Sequence, residues 1–216
     1  MNEKKQSKSR EQWLQERKKG IGGSDAAVVI GKSKWKNNVQ LWEEKTGRIE
    51  TPDISDKPYV QYGIQAEDHI RQMFALNNPE YEVLHEENTI IKHSKYPFLF
   101  ASLDGILTNK ETGEKGVLEV KTTEIVRSMQ YENWKDENIP DAYYCQVLHY
   151  LNVTGFTFAK LVAELKYSAD YQIRKTYTIL RSEVEKDIQY LEQEEIKFWN
   201  EYVIKDIRPP LLLPEI

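Results

Sequence analysis

The sequence predicts a mixed α/β domain whose central sheet is mixed but largely antiparallel and is flanked by helices. Helical periodicity and capping residues dominate residues 9–77, whereas the middle of the chain changes to short apolar segments typical of strands. An aromatic-rich helical segment, two further strands and a last amphipathic helix follow. At 216 residues, the chain fits one domain over residues 1–216.

The predicted helices of the first third follow from capping and breaking residues. They span residues 9–18, 25–30, 38–46 and 59–77. A glycine-rich turn at 20–23 separates the first two, and Ser24 is a suitable N-cap for the second. Gly47 ends the third helix, and a loop around Pro52 leads into the long fourth helix.

The remaining predicted elements alternate between strands and helices. Strands are expected over 82–84, 89–91, 98–107, 116–122, 157–166 and 172–180, and helices over 141–153 and 182–203. A turn at 109–113 makes the third and fourth strands a plausible hairpin.

Composition excludes several classes of protein. With 39% hydrophobic and 11% aromatic residues, the chain has enough apolar surface for a core and is not disordered. It has no apolar run near the ~18 residues of a membrane span, and no apolar signal core, so no membrane contact is expected. Its single cysteine, Cys145, excludes disulfide frameworks and cysteine-based zinc sites, and it fits a reducing cytoplasm.

Charge is unevenly distributed along the chain. The net charge is -5, yet residues 1–36 carry ten basic and four acidic side chains, while residues 183–201 carry seven acidic and two basic ones. A basic, helical N-terminal segment over 1–50 is either solvated or faces phosphate. A short apolar tail over 207–216 either packs on its own domain, lies at a subunit contact or docks a partner.

The strand at 116–122 places a carboxylate and an amine on one face. Side chains alternate along a strand, so Glu119 and Lys121 point the same way. One interpretation is an ion pair on a solvent-facing edge strand. The alternative is a functional site, because Asp104 ends the preceding apolar strand and the hairpin brings it close to Glu119.

Two such carboxylates suit Mg²⁺ or Mn²⁺, which prefer hard oxygen ligands. The backbone carbonyl of Val120 is a natural third ligand. Lys121 would then position or deprotonate a metal-bound water, or stabilise developing negative charge.

Two predicted helices carry polar side chains on apolar faces. Glu67 interrupts the stripe formed by Val60, Ile64, Ile70 and Phe74, so it either pairs with Arg71 or faces a cation. Gln146 and Tyr150 lie one turn apart in a helix that is apolar nearly all round. They either satisfy each other or local backbone, or they line the same site as the acids.

These motifs together resemble a known family. In order, they are GIGGSD (20–25), Gly63 to Glu67, LDG (103–105), EVK (119–121) and QVLHY (146–150). The set resembles the lambda exonuclease and YqaJ-type viral recombinase branch of the PD-(D/E)XK nucleases, from about Trp13 to Tyr150. Leu103 stands where that superfamily usually has proline before the aspartate.

The resemblance implies a restriction-endonuclease-like core and a role for each matched residue. Asp104, Glu119 and the Val120 carbonyl become ligands of one or two Mg²⁺ or Mn²⁺ ions, and Lys121 becomes the catalytic lysine. The supporting residues are Glu67, Gln146 and Tyr150.

The resemblance also implies two groups that contact DNA. Arg17 and Ser24 match the pair that holds a 5′-terminal phosphate. Trp35 lies between Lys34 and Lys36, and it is either a packing residue or a DNA contact.

The four histidines lack the spacing of metal ligands, and no functional role is assigned to them.

The implied function is a metal-dependent 5′-to-3′ exonuclease that acts on double-stranded DNA ends in phage-type recombination. The resemblance further implies a bacterial host cytoplasm, a homotrimeric ring and a phage single-strand annealing protein as partner. Two alternatives remain: an endonuclease of the same superfamily in restriction or repair, and a non-catalytic DNA-end-binding recombination module.

Overall fold

A computed structural model describes residues 4–6, 9–51, 53–168 and 170–213. The residues outside these ranges are 1–3 and 7–8 of the predicted basic segment, Pro52, Ala169 and the tail residues 214–216. Within the described ranges, no helix is both long enough and apolar enough to cross a membrane.

The strands are β1 (Lys4–Gln6), β2 (Ile21–Gly22), β3 (Tyr81–Leu84), β4 (Thr89–Lys92), β5 (Leu99–Ala101), β6 (Gly105–Asn109), β7 (Lys115–Glu124), β8 (Phe158–Lys166) and β9 (Gln172–Leu180). The helices are α1 (Arg10–Arg17), α2 (Gly23–Val29), α3 (Asn38–Lys45), α4 (Pro58–Asn77), α5 (Ser128–Glu132), α6 (Asp141–Thr154) and α7 (Arg181–Lys197). A π-helical turn, Phe198–Val203, continues α7.

The central sheet has the strand order β3-β6-β7-β8-β9. Only the β7–β8 pair is parallel, so the predicted mixed, largely antiparallel sheet is confirmed. β7 lies in the middle of this sheet. The edge-strand interpretation of residues 116–122 is therefore wrong.

The predicted continuous strand at 98–107 is also wrong. Its first part, β5, pairs with β2 and β4 in a second sheet of order β1-β4-β5-β2. Its second part, β6, pairs with β7 in the central sheet. The chain bends at Asp104, whose carbonyl accepts a hydrogen bond from Arg71 and whose carboxylate accepts one from the Val120 N–H. These bonds take the place of ladder pairing at the bend.

Two helices pack on opposite faces of β7. On one face, α6 contributes to a core with Val117 and Leu161, and its residues from Cys145 to Val153 are all buried. On the other face, α4 packs Ile70 and Phe74 against Leu118. The alternation of β7 therefore directs Glu119, which shares the side of Val117, toward α6.

Helix boundaries agree with the sequence within a few residues, with two differences. Ser24 is not an N-cap, because α2 begins at Gly23 and its N-cap is Gly22. The Gly22 N–H donates to the Asp25 carboxylate at 3.2 Å, which leaves the Ser24 hydroxyl available to another donor. Helix α5 was not predicted.

The described part of the C-terminal tail packs on its own domain. The Asn38 side-chain amide donates to the Pro210 carbonyl at 2.8 Å, and its oxygen accepts from the Leu212 N–H at 2.9 Å. Because Asn38 is buried at the start of α3, this contact ties the tail to the basic segment.

Candidate functional site

The bend before β6 brings Asp104 to Glu119. Gly105 pairs with Leu118, so the preceding and following residues lie next to each other across the β6–β7 ladder. The Val120 N–H donates to Oδ2 of Asp104 at 2.8 Å, which orients that carboxylate toward β7. Glu119 itself is only 1% exposed. Two carboxylates therefore meet where the start of β6 faces the middle of β7, and the sequence predicted that they converge.

The Glu119 carboxylate is held from two directions. Lys121 Nζ lies 2.6 Å from Oε1, and Gln146 Nε2 donates to the same oxygen at 2.7 Å. Gln146 Nε2 also lies 2.9 Å from the Tyr150 hydroxyl. Both alternatives for Gln146 and Tyr150 are therefore present, because the two side chains contact each other and Gln146 also contacts Glu119.

Glu67 approaches the same region from α4. Arg71 Nη1 donates to Glu67 Oε1 and to the Asp104 backbone carbonyl, each at 2.9 Å. The Glu67–Arg71 pair, one of the two alternatives for Glu67, therefore exists and ties Glu67 to the bend. The predicted buried stripe is only partly correct, because Ile64 is 51% exposed while Ile70 and Phe74 are buried. The first half of α4 thus leaves Glu67 at the margin of the core.

Burial and neighbouring carboxylates set the pKa values of the acids in this cluster. Burial, with the nearby Asp104 charge, raises the pKa of Glu119 to about 8 and that of Glu67 to about 7. Burial alone would lower the pKa of Lys121, but the charges of Glu119 and Asp104 outweigh it and raise that pKa. Ionising these carboxylates together is therefore unfavourable even beside Lys121 and Arg71, and a bound cation would relieve that cost.

The donor set fits a divalent cation of the Mg²⁺ type. Glu119 Oε2 is buried without a hydrogen-bond partner among the described residues. A cavity of about 250 Å³ is lined by Glu67, Asp104, Val120 and Lys121. Across the described ranges, no three His, Cys, Asp or Glu side chains are grouped to hold a metal by themselves. Mg²⁺ does not require that, since one or two carboxylates, waters and substrate phosphates complete its coordination.

The glycine-rich turn lies against this cluster. A Cβ on Gly23 would overlap the ring of Tyr150, and one on Gly20 would overlap the Phe98 carbonyl. Only glycine permits these close approaches. Beside the turn, Arg17 Nη2 donates to Ser24 Oγ at 3.3 Å, so the two residues predicted to act as a pair are in contact.

Asp25 is a buried anchor that sequence reasoning did not single out. Lys45 lies 2.7 Å and Lys36 3.9 Å from its carboxylate. Burial would raise the pKa of Asp25, but these two lysines and the Gly22 N–H lower it. Asp25 thereby holds Lys36 and Lys45, two basic residues of the N-terminal segment, beside the glycine-rich turn. The available sequence signal was one charged residue in a short helix of small and apolar residues.

Trp35 is not a core packing residue. Its side chain is 71% exposed, and its ring centroid lies 6.0 Å from that of Tyr143. Lys121 Nζ lies 5.4 Å from the same Tyr143 ring. Tyr143 therefore stands between Trp35 and the carboxylate cluster.

One buried pair was missed because the histidines received no role. His149 Nδ1 lies 2.7 Å from Glu195 Oε1, and Nε2 lies 2.8 Å from the Phe100 carbonyl. Glu195 is fully buried, so the acidic segment at 183–201 is not wholly outward-facing. The signal was an acid on the apolar stripe of α7, between Leu191 and Phe198.

The sheet and the flanking helices form a fold of the PD-(D/E)XK type, with the acid–lysine cluster on its central strand. The chain belongs to the YqaJ-like viral recombinase domain family, which matches residues 12–157. It is 33% identical over 206 residues to the uncharacterized protein YqaJ of Bacillus subtilis (strain 168). That alignment covers 94% of this chain but 59% of YqaJ, so the chain spans less than two thirds of this relative.

Solved structures share the fold at low sequence identity. The alkaline exonuclease LHK-Exo from Laribacter hongkongensis superposes with a TM-score of 0.59 at 18% identity, covering 91% of this chain and 97% of that one. A second structure of LHK-Exo contains dAMP. A phage-related exonuclease from Haemophilus somnus 129PT gives 0.55 at 14% identity, covering 87% and 96%. At these identities the likeness establishes the fold.

Proposed function

We propose that this protein is a metal-dependent 5′-to-3′ exonuclease that degrades one strand of linear duplex DNA and leaves 3′ single-stranded overhangs for phage-type recombination. The observation that carries the proposal is the meeting of Asp104, Glu119 and Lys121 where the start of β6 faces the middle of β7, with Glu67 at the margin. Family membership and the fold shared with exonucleases support it. The dAMP bound to LHK-Exo supports a nucleotide-containing substrate.

In this proposal, Asp104, Glu119 and the Val120 carbonyl hold one or two Mg²⁺ or Mn²⁺ ions. A bound divalent ion supplies Lewis acidity toward phosphate and lowers the pKa of coordinated water. Lys121 places a cationic amine beside the attacked phosphate, where negative charge develops. Glu67 completes the acidic wall of the cavity.

Gln146 and Tyr150 act as positioning residues. The amide of Gln146 fixes one oxygen of Glu119, and the Tyr150 ring supports the glycine turn. A hydrogen-bonded partner of a metal-binding carboxylate sets its orientation, which is why such partners affect activity without touching substrate.

Arg17 and Ser24 are proposed to bind the 5′-terminal phosphate. Their contact at 3.3 Å places a guanidinium and a hydroxyl together, beside a turn that packs on Tyr150. Arginine forms charge-assisted, forked hydrogen bonds with phosphate. A phosphate held here would orient the strand end toward the carboxylate cluster.

We further propose a homotrimeric ring and a phage single-strand annealing protein as partner. Both rest on the family to which the chain belongs. Light scattering of the purified protein tests the first, and a pull-down with a purified phage single-strand annealing protein tests the second. A monomer at all concentrations contradicts the ring.

The decisive experiment compares linear duplexes bearing 5′-phosphate or 5′-hydroxyl ends with closed circular DNA, each with and without Mg²⁺. We expect digestion of the 5′-phosphorylated linear duplex in Mg²⁺ and resistance of the circle. Lys121→Ala and Glu119→Ala should abolish digestion, whereas Lys160→Ala, whose amine contacts Thr178 at 2.8 Å, should not.

The same experiment separates the alternatives. Cleavage of the closed circle would favour an endonuclease in restriction or repair. Binding to DNA ends without any Mg²⁺-stimulated hydrolysis would favour a non-catalytic module. Full activity of both site variants would refute the residue assignments.

A further inference from the structure

A second, larger cavity lies next to the carboxylate cluster. It measures about 550 Å³, within the range of roughly 300–1,000 Å³ in which proteins enclose small molecules. Tyr143 and Thr123 line it, and Thr123 lies two residues beyond Lys121 on β7. Because Lys121 Nζ also lies over the Tyr143 ring, Tyr143 joins this cavity to the proposed catalytic lysine.

Three aromatic rings form one wall of the cavity. Trp134 is 3% exposed, and its backbone carbonyl accepts hydrogen bonds from Lys175 Nζ and the Tyr177 hydroxyl, which fixes its position. Its ring stacks on Tyr143 at 5.5 Å with an interplanar angle of 28°. Trp35 also contacts Tyr143, with ring centroids 6.0 Å apart, and remains largely exposed. A fixed aromatic base with an exposed tryptophan at its end offers a stacking surface to a planar ligand.

The remaining lining combines polar and charged side chains with the apolar Ile139, Pro140 and Ala142, a mixture that suits a nucleotide. The amides of Asn133 and Asn138 offer both donors and acceptors, as the edges of nucleobases do. Lys34 adds a positive charge beside Trp35, and Asp141, which also lines the cavity, lies 3.5 Å from Lys32. A nucleotide could therefore stack its base on the aromatic wall and place a backbone phosphate near Lys32 and Lys34.

We propose that this cavity receives a nucleobase of the strand being cleaved, unpaired from its complement and stacked on Trp35. The inference rests on the proposed function and adds a base-binding site to it. Because Lys121 Nζ lies 5.4 Å from the centroid of the Tyr143 ring, a nucleotide whose phosphate contacts Lys121 can direct its base to this aromatic wall. Stacking is tolerant of sequence because every base has a π-face, so the site would serve digestion of any sequence.

The test uses two 5′-phosphorylated linear duplexes that differ only at the terminal nucleotide, which either carries its base or is replaced by an abasic tetrahydrofuran residue. For the wild-type protein in Mg²⁺, we expect kcat/KM to be roughly tenfold higher with the base present, as expected for loss of one stacking contact. Trp35→Ala should reduce this ratio to near one by slowing only the intact substrate. Trp35→Phe should keep most of it.

Tyr190→Ala is the matched control, because Tyr190 is a 56% exposed aromatic on α7, which lines no part of this cavity. It should behave as wild type. The proposal is overturned if Trp35→Ala has the same ratio of kcat/KM between the two duplexes as the wild type.

A binding measurement keeps this inference separate from the proposed function. Calorimetric titration in Ca²⁺ compares 5′-dAMP with 2-deoxyribose 5-phosphate, which lacks the base. We expect Trp35→Ala to weaken dAMP binding roughly tenfold and to leave the sugar phosphate unchanged. Absence of any DNA hydrolysis by the wild type would refute the exonuclease, whereas equal affinities of the wild type for the two compounds would refute the base site.

Discussion

Gln146 Nε2 on α6 donates to Oε1 of Glu119 on β7 at 2.7 Å, across 27 positions of sequence. The bond joins the most buried acid of the site to the helix that supports the glycine turn. The other oxygen of Glu119 is left without a partner among the described residues. Gln146 therefore sets which oxygen remains available to a metal ion.

Replacing Gln146 by leucine should weaken both activity and stability. Glu119 and the Tyr150 hydroxyl would lose a buried donor, which costs about 1–3 kcal/mol in the free energy of unfolding. Loss of such a carboxylate-orienting partner typically costs roughly 10–100-fold in activity or metal affinity. Urea unfolding and Mg²⁺-dependent digestion measure the two effects.

Tyr150→Phe is the matched comparison, because it removes the hydroxyl and keeps the Gln146–Glu119 bond. We expect a smaller loss of activity than in Gln146→Leu. Equal losses in both variants would mean that orientation of Glu119 is not the role of Gln146.

Divalent ions should stabilise the fold. At a concentration of 100 Kd, a ligand that binds only the native state adds about 2.7 kcal/mol. At roughly 2–4 °C per kcal/mol for a chain of this size, Mn²⁺ should raise Tm by about 5–10 °C. Asp104→Asn should remove the rise, and Asp170→Asn, at an exposed loop position, should keep it. A rise that survives in Asp104→Asn would contradict the metal site.

Arg17→Met should remove the preference for a 5′-phosphate. A hydrogen bond to a charged group contributes about 1.5–3 kcal/mol, which corresponds to roughly 10–100-fold in the ratio of kcat/KM between phosphate and hydroxyl ends. Arg10→Met, a change at an exposed position of the same helix, should leave the ratio unchanged. Loss of the preference in both variants would assign it to general charge on α1.

The buried His149–Glu195 pair should make stability depend on pH. Burial lowers the pKa of His149, but the Glu195 carboxylate and the Phe100 carbonyl, with Asp25 nearby, raise it overall above 6.5. A raised folded-state pKa contributes stability that is complete below about 6.5 and is lost as pH rises through the folded value.

The free energy of unfolding of the wild type should therefore fall across this window relative to that of Glu195→Gln. Urea titrations at a series of pH values from 5 to 9 measure the difference. A constant difference between the two proteins would show that His149 does not change its charge there.

Several features followed from the sequence because they depend on local periodicity. Strand alternation placed Glu119 and Lys121 on one side, and the 3.6-residue period placed Glu67 near the apolar stripe of α4. The same periods located Gln146 and Tyr150 one turn apart. Each of these statements says which way a side chain points, and backbone geometry alone determines that.

The partner of each side chain was decided by the tertiary structure. Glu119 is buried because β7 is central, and Asp104 reaches it because the chain bends between two sheets. Arg71 contacts Glu67 and also the backbone carbonyl of Asp104, which is 33 residues away in the sequence. His149 contacts Glu195, which is 46 residues away. Periodicity does not reveal sheet order or which helix covers which face, since these depend on packing between distant segments. The sequence therefore determined the residue types and faces of the site, and the fold alone decided their contacts.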